Sequence, residues 1–481
     1  MLGDDVLGAL RAPVHVDLNV TDACDLHCSH CHSSSGRRAP SELTTNELMD
    51  VGGQIYEMGV VSLVVAGGEP FLRRDTTDFL AFMSSQRAWS VAVVTNGQAL
   101  ATPGAAQRLA TDCPNLRVNV SLDGLTAEAN AVLRNRRGTS PETLFTRTCR
   151  AIECLVDSGL VVSVNTTITR RSIDEIEWFH DFVCNDLGAA GVVAIKFLPL
   201  GYGIAVAEEL DVPFPLWAER LCTWTKKKDQ GQLQLLNVSV AAAWEFYLPH
   251  VLHGLELEAA EQVWGYQHRR GDEWPSALGD SAGIAELAVG ASGDIYPSVL
   301  CVGDPSAWCG NVRDSSPYEA WLNSPVLHAL RLLKPRDLSP ACTACECVPL
   351  CGGGSRARAL GLTGALSGPD VDCPFVGREV GEGRVVVRPR HRLEPDSTSN
   401  WSVVPPVTRA VFGEGPTAVR IIEYASGFEL RTSWAVRPVD HDTAKAVMAY
   451  ASDQSGSIPP ALADVLSLSR LPAPTGGLHR V

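Results

Sequence analysis

The chain has 481 residues, and its 40 Lys and Arg against 55 Asp and Glu give a formal net charge of −15. Since a domain usually holds roughly 100–200 residues, two or three domains are expected. The acidic balance argues against nucleic acid and anionic membranes as partners, because both attract a basic face. The longest apolar stretch, near Met58–Gly68, is shorter than the roughly 20 residues of a membrane helix. Because Met1–Ala12 has no basic segment typical of a secretory signal, we expect a cytoplasmic protein.

The first part of the chain alternates between strand and helix patterns. Alternating apolar and polar residues in Val14–Val20 predict a half-buried strand, and a capping box at Thr44–Glu47 predicts the start of a helix. Later strands are expected at Val60–Ala66, Val91–Thr95, Arg117–Leu122, Leu160–Thr167 and Gly191–Leu198. Such a series predicts an α/β fold with a parallel sheet, or a full or partial barrel. Functional residues are then expected at the carboxyl ends of the strands.

The first cysteine cluster lies in the loop after the first strand, where Cys24, Cys28 and Cys31 have the spacing C-x₃-C-x₂-C. In a reducing compartment, clustered cysteines more often hold metal than form disulfides. Structural zinc needs four ligands and would require a neighbouring histidine. Iron–sulfur clusters are held by cysteine thiolates, and three thiolates leave one iron open for a non-protein ligand. The spacing therefore favours a reactive iron–sulfur site over zinc.

This triad and the motifs that follow it resemble the radical S-adenosylmethionine (SAM) superfamily over roughly Pro13–Gly203. The resemblance implies a partial (β/α)6 barrel of the radical SAM type, with a [4Fe–4S] cluster on the three cysteines and S-adenosyl-L-methionine bound to it. It also implies that one electron, from a flavodoxin- or ferredoxin-type reductant, cleaves the cofactor. The resulting 5′-deoxyadenosyl radical would abstract a substrate hydrogen, so the protein is expected to be an oxidoreductase-type enzyme.

The resemblance also assigns contacts to the cofactor. His30 stands where the family places an aromatic residue against the adenine, and Glu69 offers an acceptor to the methionine ammonium. Arg134 stands where many members pair an arginine with the cofactor carboxylate, with Arg136 and Arg137 as competing candidates. The expected contacts are His30, Gly67, Gly68, Glu69, Pro70, Asn96, Ser121, Arg134 and Asn165. No spacing identifies an acid or base that acts on the substrate.

A second cysteine-rich stretch resembles the SPASM extension of these enzymes, which usually carries two auxiliary [4Fe–4S] clusters. One complete ligand set is present: Cys342, Cys345, Cys351 and Cys373. A zinc ribbon is the alternative for this set, because four cysteines in two pairs can also close a zinc site. The iron–sulfur assignment is favoured because the first part of the chain already points to that chemistry.

The sequence leaves two alternatives for a second auxiliary cluster. Ser355 and Ser315 stand where the SPASM pattern has cysteines. Cys301, Cys309 and Cys347 could supply three ligands and leave an open iron. Alternatively this cluster is absent, as in the shorter relatives called twitch domains. One or two auxiliary clusters are therefore expected.

These patterns divide the chain into four parts. We predict a radical SAM core domain at 13–212, a bridging segment at 213–285, a small Cys-rich SPASM/twitch-like domain at 286–378 and a C-terminal α+β segment at 396–481. In the last segment, Ala418–Tyr424 and Phe428–Val436 predict strands and Asp442–Ser452 predicts a helix. Such a module could capture a peptide as an added edge strand, or it could be a structural cap.

Family members with this double architecture mostly modify ribosomally made peptides. The resemblance therefore implies a peptide maturase that crosslinks, epimerises or oxidises a precursor peptide. A small-molecule dehydrogenase, for example of an aminocyclitol, is the alternative enzyme. A non-catalytic iron–sulfur or zinc scaffold is the third interpretation, against which the intact triad and the intact Gly67–Pro70 segment argue.

Overall fold

The computed structural model describes residues 10–86, 89–265, 280–376, 406–412, 418–425, 427–432, 436–453 and 458–463. Residues 377–405, which connect the predicted Cys-rich domain to the predicted C-terminal segment, lie outside these ranges. Two sheets organise the described residues: a large one, in which the strand that begins at His15 leads into the cysteine triad, and a small one near the C-terminus.

The large sheet is mostly parallel. In chain order its strands are β1 (His15–Thr21), β2 (Ser62–Gly67), β3 (Ser90–Thr95), β4 (Arg117–Ser121), β5 (Val161–Ile168), β6 (Gly191–Lys196), β7 (Leu236–Ser239), β8 (Glu286–Val289), β9 (Asp294–Tyr296) and β10 (Gly310–Asn311). Their spatial order is β10-β9-β8-β1-β2-β3-β4-β5-β6-β7. All neighbours from β8 to β7 pair in parallel, and β9 and β10 are antiparallel additions. Because β7 and β10 form separate edges, the sheet is an open, partial barrel.

The prediction of six parallel strands is confirmed, with every strand end within two residues of its predicted position. The structure adds β7 beside β6 and β8 beside β1. Each of these strands has only four residues, and each pairs with a strand distant in sequence. The bridging and cysteine-rich segments therefore each contribute a strand to the same sheet as the core.

Helices cover the outer face of this sheet and build the cysteine-rich region. In chain order they are α1 (Thr45–Glu57), α2 (Thr76–Ser85), α3 (Pro103–Asp112), α4 (Ala127–Ala131), α5 (Pro141–Asp157), α6 (Ile176–Asp181), α7 (Ala207–Leu210), α8 (Phe214–Asp229), α9 (Ala243–Leu252), α10 (Leu257–Trp264), α11 (Pro317–Asn323), α12 (Pro325–Leu332), α13 (Pro340–Thr343), α14 (Val348–Cys351), α15 (Arg356–Thr363) and α16 (His441–Asp453). The predicted capping box is present, since the Glu47 carboxylate accepts from the Thr44 backbone at 2.7 Å. Within the described ranges, each helix is too short or too polar to cross a lipid bilayer.

The two faces of β1 differ in polarity. In β1, Val16, Leu18 and Val20 are buried in the core beneath the helices, so the alternate residues face the lumen of the partial barrel. The lumen-facing polar residues are His15, Asp17 and Asn19 of β1, Ser62 of β2, Asn119 and Ser121 of β4, Ser163 and Asn165 of β5, and Glu286 of β8. Apolar residues such as Val64 of β2 and Val193 of β6 share this face. The polar residues of the lumen suit a polar ligand bound at the carboxyl ends of the strands.

The small sheet is antiparallel and consists of β11 (Val407–Phe412), β12 (Val419–Tyr424), β13 (Gly427–Arg431) and β14 (Val436–Val439), in that order. One face packs against α16 through apolar side chains, which confirms a C-terminal α+β segment. The other face lies on the core: Arg420 donates to Tyr56 O at 2.7 Å and Arg431 donates to Gly59 O at 2.9 Å. The predicted helix Asp442–Ser452 lies within α16.

Candidate functional site

The loop that carries the cysteine triad covers the carboxyl end of β1. Backbone hydrogen bonds fix its shape: Cys24 N donates to Gly36 O at 3.0 Å, where the loop returns. Two further bonds attach the loop to the chain after β4, from His27 N to Asn135 O at 2.8 Å and from Ser29 N to Leu133 O at 3.0 Å. The triad therefore lies where parallel α/β folds place their functional residues.

Glycines permit the close approach of neighbouring segments to this loop. A Cβ on Gly68 would lie 2.2 Å from Ala23 O, next to the first cysteine. Gly201, which follows β6, has φ of 56°, and a Cβ there would lie 2.2 Å from His32 O. Tyr202 N donates to Cys31 O at 2.9 Å. The segment after β2 and the segment after β6 thus hold the triad loop from two sides.

The three cysteines of the triad are half-buried free thiols. Burial raises the pKa of Cys24 to about 12 and that of Cys28 to about 11, although the Arg134 guanidinium lowers the second. Without a metal ion both are neutral thiols, and a bound cation would stabilise their thiolates. No three Cys, His, Asp or Glu side chains in the described ranges converge closely enough to hold a metal ion as they stand.

Glu69, predicted to accept from the ligand ammonium, also has three donors within the protein. Its carboxylate accepts hydrogen bonds from Phe71 N at 3.2 Å, Thr95 Oγ1 at 2.7 Å and Asn96 N at 2.7 Å. Burial raises its pKa to about 7, against the lowering effect of these hydrogen bonds. Glu69 therefore joins the turn after β2 to the end of β3, with Pro70 opening a short 3₁₀ turn. Since a carboxylate has about four acceptor sites, one remains for a ligand ammonium.

Arg134 and Asn96 also have protein partners. Arg134 Nε donates to Asp123 Oδ2 at 2.5 Å, and Arg134 Nη1 lies 3.9 Å from Cys28 Sγ. Asn96 Nδ2 donates to Asp25 Oδ1 at 2.9 Å, and Arg136 pairs with the same Asp25 at 3.3 Å. The competing arginines therefore have different partners. Arg136 pairs with Asp25 in the triad loop, whereas Arg134 lies beside Cys28.

Asp123 is a functional candidate that the sequence analysis did not select. It is buried at the end of β4, accepts from Thr167 N at 2.6 Å and lies 3.7 Å from His30 Nε2. Together with Arg134 it connects β4, β5 and the triad loop. In the sequence, Asp123 belongs to the segment Ser121–Gly124, which resembles a cofactor-proximal element of the family, but only Ser121 was predicted as a contact.

Two buried polar atoms have no hydrogen-bond partner among the described residues: Nδ1 of His30 in the triad loop and Oδ1 of Asn165 on β5. Burial lowers the pKa of His30 to about 4, so the imidazole is neutral and one ring nitrogen is an acceptor. Ser121 is the register partner of Asn165 and therefore lies beside it. Buried polar atoms are usually satisfied, so these atoms fit a nucleoside ligand that supplies donors.

The second cysteine set is brought together by α13, α14 and the turn at Cys373. Cys373 packs both in the apolar cluster that contains Cys342 and Cys345 and in the cluster that contains Cys351 and Cys347. Cys342, Cys345 and Cys347 all raise the pKa of Cys351, although burial is the larger cause and brings it to about 11. Five thiols thus share one location, four of them the predicted set.

Cys301 and Cys309 lie elsewhere. Cys301 packs with Ala357 and Leu360, while Cys309 Sγ donates to Ala307 O at 3.4 Å inside the main core. The structure therefore does not gather these two residues around Cys347. Ser355, at the position of a missing cysteine, has a structural task, since its hydroxyl accepts from Arg358 N at 3.3 Å and caps α15.

A buried charge network joins the auxiliary region to the barrel. Arg358 pairs with Glu245 at 3.0 Å and with Asp370 at 2.7 Å. Lys196, at the end of β6, pairs with the same Glu245 at 3.1 Å. Trp244 Nε1 donates to Asp370 at 2.9 Å. These residues come from three distant parts of the chain, so no local pattern could reveal their contact.

Comparison with known proteins identifies the class to which this site belongs. The model of the Radical SAM superfamily matches residues 18–183, which include the triad and the glycine turn. Residues 18–183 therefore form a radical SAM domain, and the protein is an enzyme. Cys24, Cys28 and Cys31 lie in the part that matches, and the family uses a [4Fe–4S] cluster with S-adenosylmethionine.

Particular relatives span most of the chain. The AdoMet-dependent heme synthase of Methanosarcina barkeri is 27% identical over 360 residues, covering 75% of this chain and 95% of the relative. The mycofactocin maturase MftC of Mycobacterium tuberculosis is 29% identical over 390 residues, covering 79% of this chain and 88% of the relative.

Among solved structures, SuiB of Streptococcus suis bound to precursor peptide SuiA has a TM-score of 0.55 at 17% identity, over 73% of this chain and 74% of SuiB. SuiB bound to S-adenosylmethionine has a TM-score of 0.57 at 17% identity, over 76% of this chain and 79% of SuiB. These likenesses confirm the predicted fold, a partial barrel followed by a cysteine-rich part.

Proposed function

We propose that this enzyme matures a ribosomally synthesised precursor peptide by radical chemistry, through a crosslink, an epimerisation or an oxidation. The observation that carries the proposal is the combination of a triad loop over a polar lumen with a gathered second cysteine set and a separate C-terminal module. The relatives named as maturases support it, because one of them aligns with 79% of this chain. SuiB, which shares the fold, binds a precursor peptide.

The cofactor site follows from the residues around the lumen. Cys24, Cys28 and Cys31 would hold the [4Fe–4S] cluster, and the bound cofactor supplies the 5′-deoxyadenosyl radical that abstracts a substrate hydrogen. Asn165 and His30 offer unpaired buried atoms for the nucleoside. The remaining proposed contacts are Gly67, Gly68, Glu69, Pro70, Asn96, Ser121 and Arg134, which surround the same end of the sheet. Their close packing would exclude water from the reacting carbon.

One auxiliary iron–sulfur cluster is proposed for Cys342, Cys345, Cys351 and Cys373. The shared location of these four thiols supports it, as does the separate packing of Cys301 and Cys309. With Ser355 capping a helix, a second complete set is missing from this region. The bound cluster would accept an electron from the substrate or adjust its reactivity.

The C-terminal module is proposed to bind the leader of the precursor peptide. Among the described strands, β11 and β14 are the edges of its sheet. Pro438 lies within β14, and proline on an edge strand removes a hydrogen-bond donor and discourages pairing. This leaves β11, where Val407 is 41% exposed, as the edge that could accept an added peptide strand. The contacts of Arg420 and Arg431 with the core support the alternative, in which the module is a structural cap.

A small-molecule substrate is the second candidate, and the relative named AdoMet-dependent heme synthase supports it. The deciding experiment incubates the reconstituted enzyme with short peptides encoded beside its gene and with candidate alcohols such as aminocyclitols. Mass spectrometry of a peptide that changes mass only with S-adenosylmethionine and reductant would establish maturation. Oxidation of an alcohol with no change in any peptide would establish the dehydrogenase instead.

A further inference from the structure

Each cysteine of the triad has a hydrogen-bonding group beside its sulfur, and the three groups differ in kind. They are the backbone N–H of Leu26 for Cys24, the Arg134 guanidinium at 3.9 Å for Cys28 and the Ser33 hydroxyl at 3.5 Å for Cys31. The Leu26 group belongs to the backbone, and Arg134 also pairs with Asp123. Ser33 is therefore the partner that a single substitution can remove without breaking an ion pair.

The Ser33 hydroxyl lies in a chain of two hydroxyl groups that ends at Cys31. Its oxygen is 3.0 Å from Ser35 Oγ and 3.5 Å from Cys31 Sγ, and among the described residues these are its hydrogen-bond partners. Ser34, between the two serines, has a backbone φ of 53°, in the left-handed region that residues with a Cβ rarely adopt. A strained turn of this kind persists only where the surrounding structure holds it. The loop therefore keeps the two hydroxyls together against this cost.

The direction of this hydroxyl chain depends on the state of Cys31. A neutral thiol can donate or accept, whereas a metal-bound thiolate has no proton and only accepts. With iron on the triad, Ser33 would therefore donate to Cys31 Sγ, and its oxygen would accept from the Ser35 hydroxyl. Hydrogen bonds to an ionised acceptor are stronger than neutral ones, and the members of such a chain polarise one another. Ser35 thus strengthens the bond from Ser33 to the sulfur.

We propose that Ser33, supported by Ser35, raises the reduction potential of the iron–sulfur site held by Cys24, Cys28 and Cys31. The proposal rests on the radical function proposed above. Reduction adds one electron from a low-potential reductant to the site, while Ser33 keeps its proton. Because the reduced site carries one more negative charge, a hydrogen bond to a ligand sulfur stabilises it more than the oxidised site. Since Ser33 acts through Cys31, it is a positioning residue and not a catalytic one.

The test measures the midpoint potential of the triad site in the full chain, reconstituted anaerobically, by a dithionite titration followed with electron paramagnetic resonance. The signal of this site is the one missing from the Cys24→Ala/Cys28→Ala/Cys31→Ala variant, and the remaining signal is an internal reference. We expect Ser33→Ala to lower the ratio of reduced to oxidised triad site at least tenfold at a fixed potential, a shift of about 59 mV to more negative values. The reference signal should keep its potential.

Three further substitutions separate the hydroxyl from the packing of the loop. Ser33→Thr keeps the hydroxyl, and its added methyl has room because Ser33 lines a cavity of about 650 Å³, so the potential should stay at the wild-type value. Ser29→Ala is the matched control in the same loop, because the Ser29 hydroxyl donates to Val132 O at 3.3 Å and not to a sulfur. Its potential should also be unchanged. Ser35→Ala should shift the potential in the same direction as Ser33→Ala but by less, since Ser33 still donates and loses only its polarising partner.

An unchanged potential in Ser33→Ala with wild-type iron content would overturn the proposal. An equal shift in Ser33→Thr or in Ser29→Ala would also overturn it, because the cause would then be the packing of the loop. If Ser33→Ala binds no iron at the triad, Ser35→Ala decides, and an unchanged potential in that variant refutes the proposal. The potential is measured without S-adenosylmethionine. A wild type that holds the iron and forms no 5′-deoxyadenosine therefore refutes the radical function alone.

Discussion

Gly67 lies directly against the backbone of Thr21: a Cβ on Gly67 would be 2.3 Å from Thr21 O. Gly67 also has a backbone φ of 129°, which residues other than glycine rarely adopt. The two residues are register partners at the ends of β1 and β2. Their contact fixes the position at which the triad loop begins. A small change at Gly67 should therefore displace the cysteines of that loop.

We expect Gly67→Ala to destabilise the fold by about 1–3 kcal/mol, the cost of a strained backbone, and to lower the iron bound at the triad. Urea unfolding and iron analysis of the reconstituted protein measure the two effects. Gly53→Ala is the control, because Gly53 lies in α1 with nothing within 4 Å of the added Cβ. That substitution should stabilise α1 by about 0.5–1 kcal/mol. Wild-type stability and iron content in Gly67→Ala would refute the structural role.

Replacement of Cys24, Cys28 and Cys31 by Ala together should abolish 5′-deoxyadenosine formation, because no thiolate then remains to hold the reactive site. The auxiliary cysteines are on separate elements, α13 and α14 and the turn at Cys373, so their iron should stay bound. Chromatography of the reaction products and iron analysis measure both outcomes. Production of 5′-deoxyadenosine by the triple variant would show that the triad assignment is wrong.

The triple variant also allows the auxiliary iron to be counted. A single closed cluster predicts about four irons per chain, since Cys301 and Cys309 pack away from the gathered thiols. In that background, Cys373→Ser should remove most of the remaining iron, whereas Cys301→Ser should leave it unchanged. About eight irons would indicate a second auxiliary cluster, and zinc in place of iron would exclude a redox role for this set.

Short sequence patterns predicted those parts of the site that lie within a single segment of the chain. The triad spacing and the glycine turn lie within short segments, and alternation of side chains identified the strands that hold them. Asp123 and the orphaned Asn165 Oδ1 depend on the pairing of β4 with β5, which no single segment contains. The contact of Arg358 with Glu245 spans 113 residues and exists only after the fold has formed. Tertiary contacts of this kind leave no periodic signal.

The buried carboxyl of Glu286, at the start of β8, predicts a pH-dependent stability of the fold. Loss of solvation raises its pKa to about 7, and the neighbouring Asp17 adds to the increase, while His15 opposes it. The folded state therefore binds more protons than the unfolded state, so stability falls as the pH rises from about 4.5 to 7. His15 changes stability in the same direction, because burial is outweighed by Asp17 and Glu286 and its pKa is raised.

We expect Glu286→Gln to flatten this pH dependence and to raise the melting temperature near pH 8, where the wild-type carboxylate is charged in the lumen. Melting temperatures between pH 5 and 8 measure the effect. Glu261→Gln is the control, because the Glu261 carboxylate accepts from the Tyr247 hydroxyl and is not one of the lumen carboxylates. In this variant the melting temperature should depend on pH as in the wild type. A slope in Glu286→Gln equal to that of the wild type would contradict the assignment.

Strand addition at β11 predicts that a proline there blocks the leader peptide. Arg409 lies at the register shift between Thr408 and Ala410, without a Cα partner on β12, so a proline at this position should be tolerated as at other bulges. We expect Arg409→Pro to weaken leader binding at least tenfold, about 1.4 kcal/mol. Arg409→Ala keeps the backbone donor and loses only an exposed ion pair with Glu423, so its affinity should stay within about twofold. Fluorescence anisotropy with a labelled leader measures both variants, and thermal unfolding checks that each is folded. Equal affinity of a folded Arg409→Pro would exclude strand addition at β11 and leave the module as a structural cap on the core.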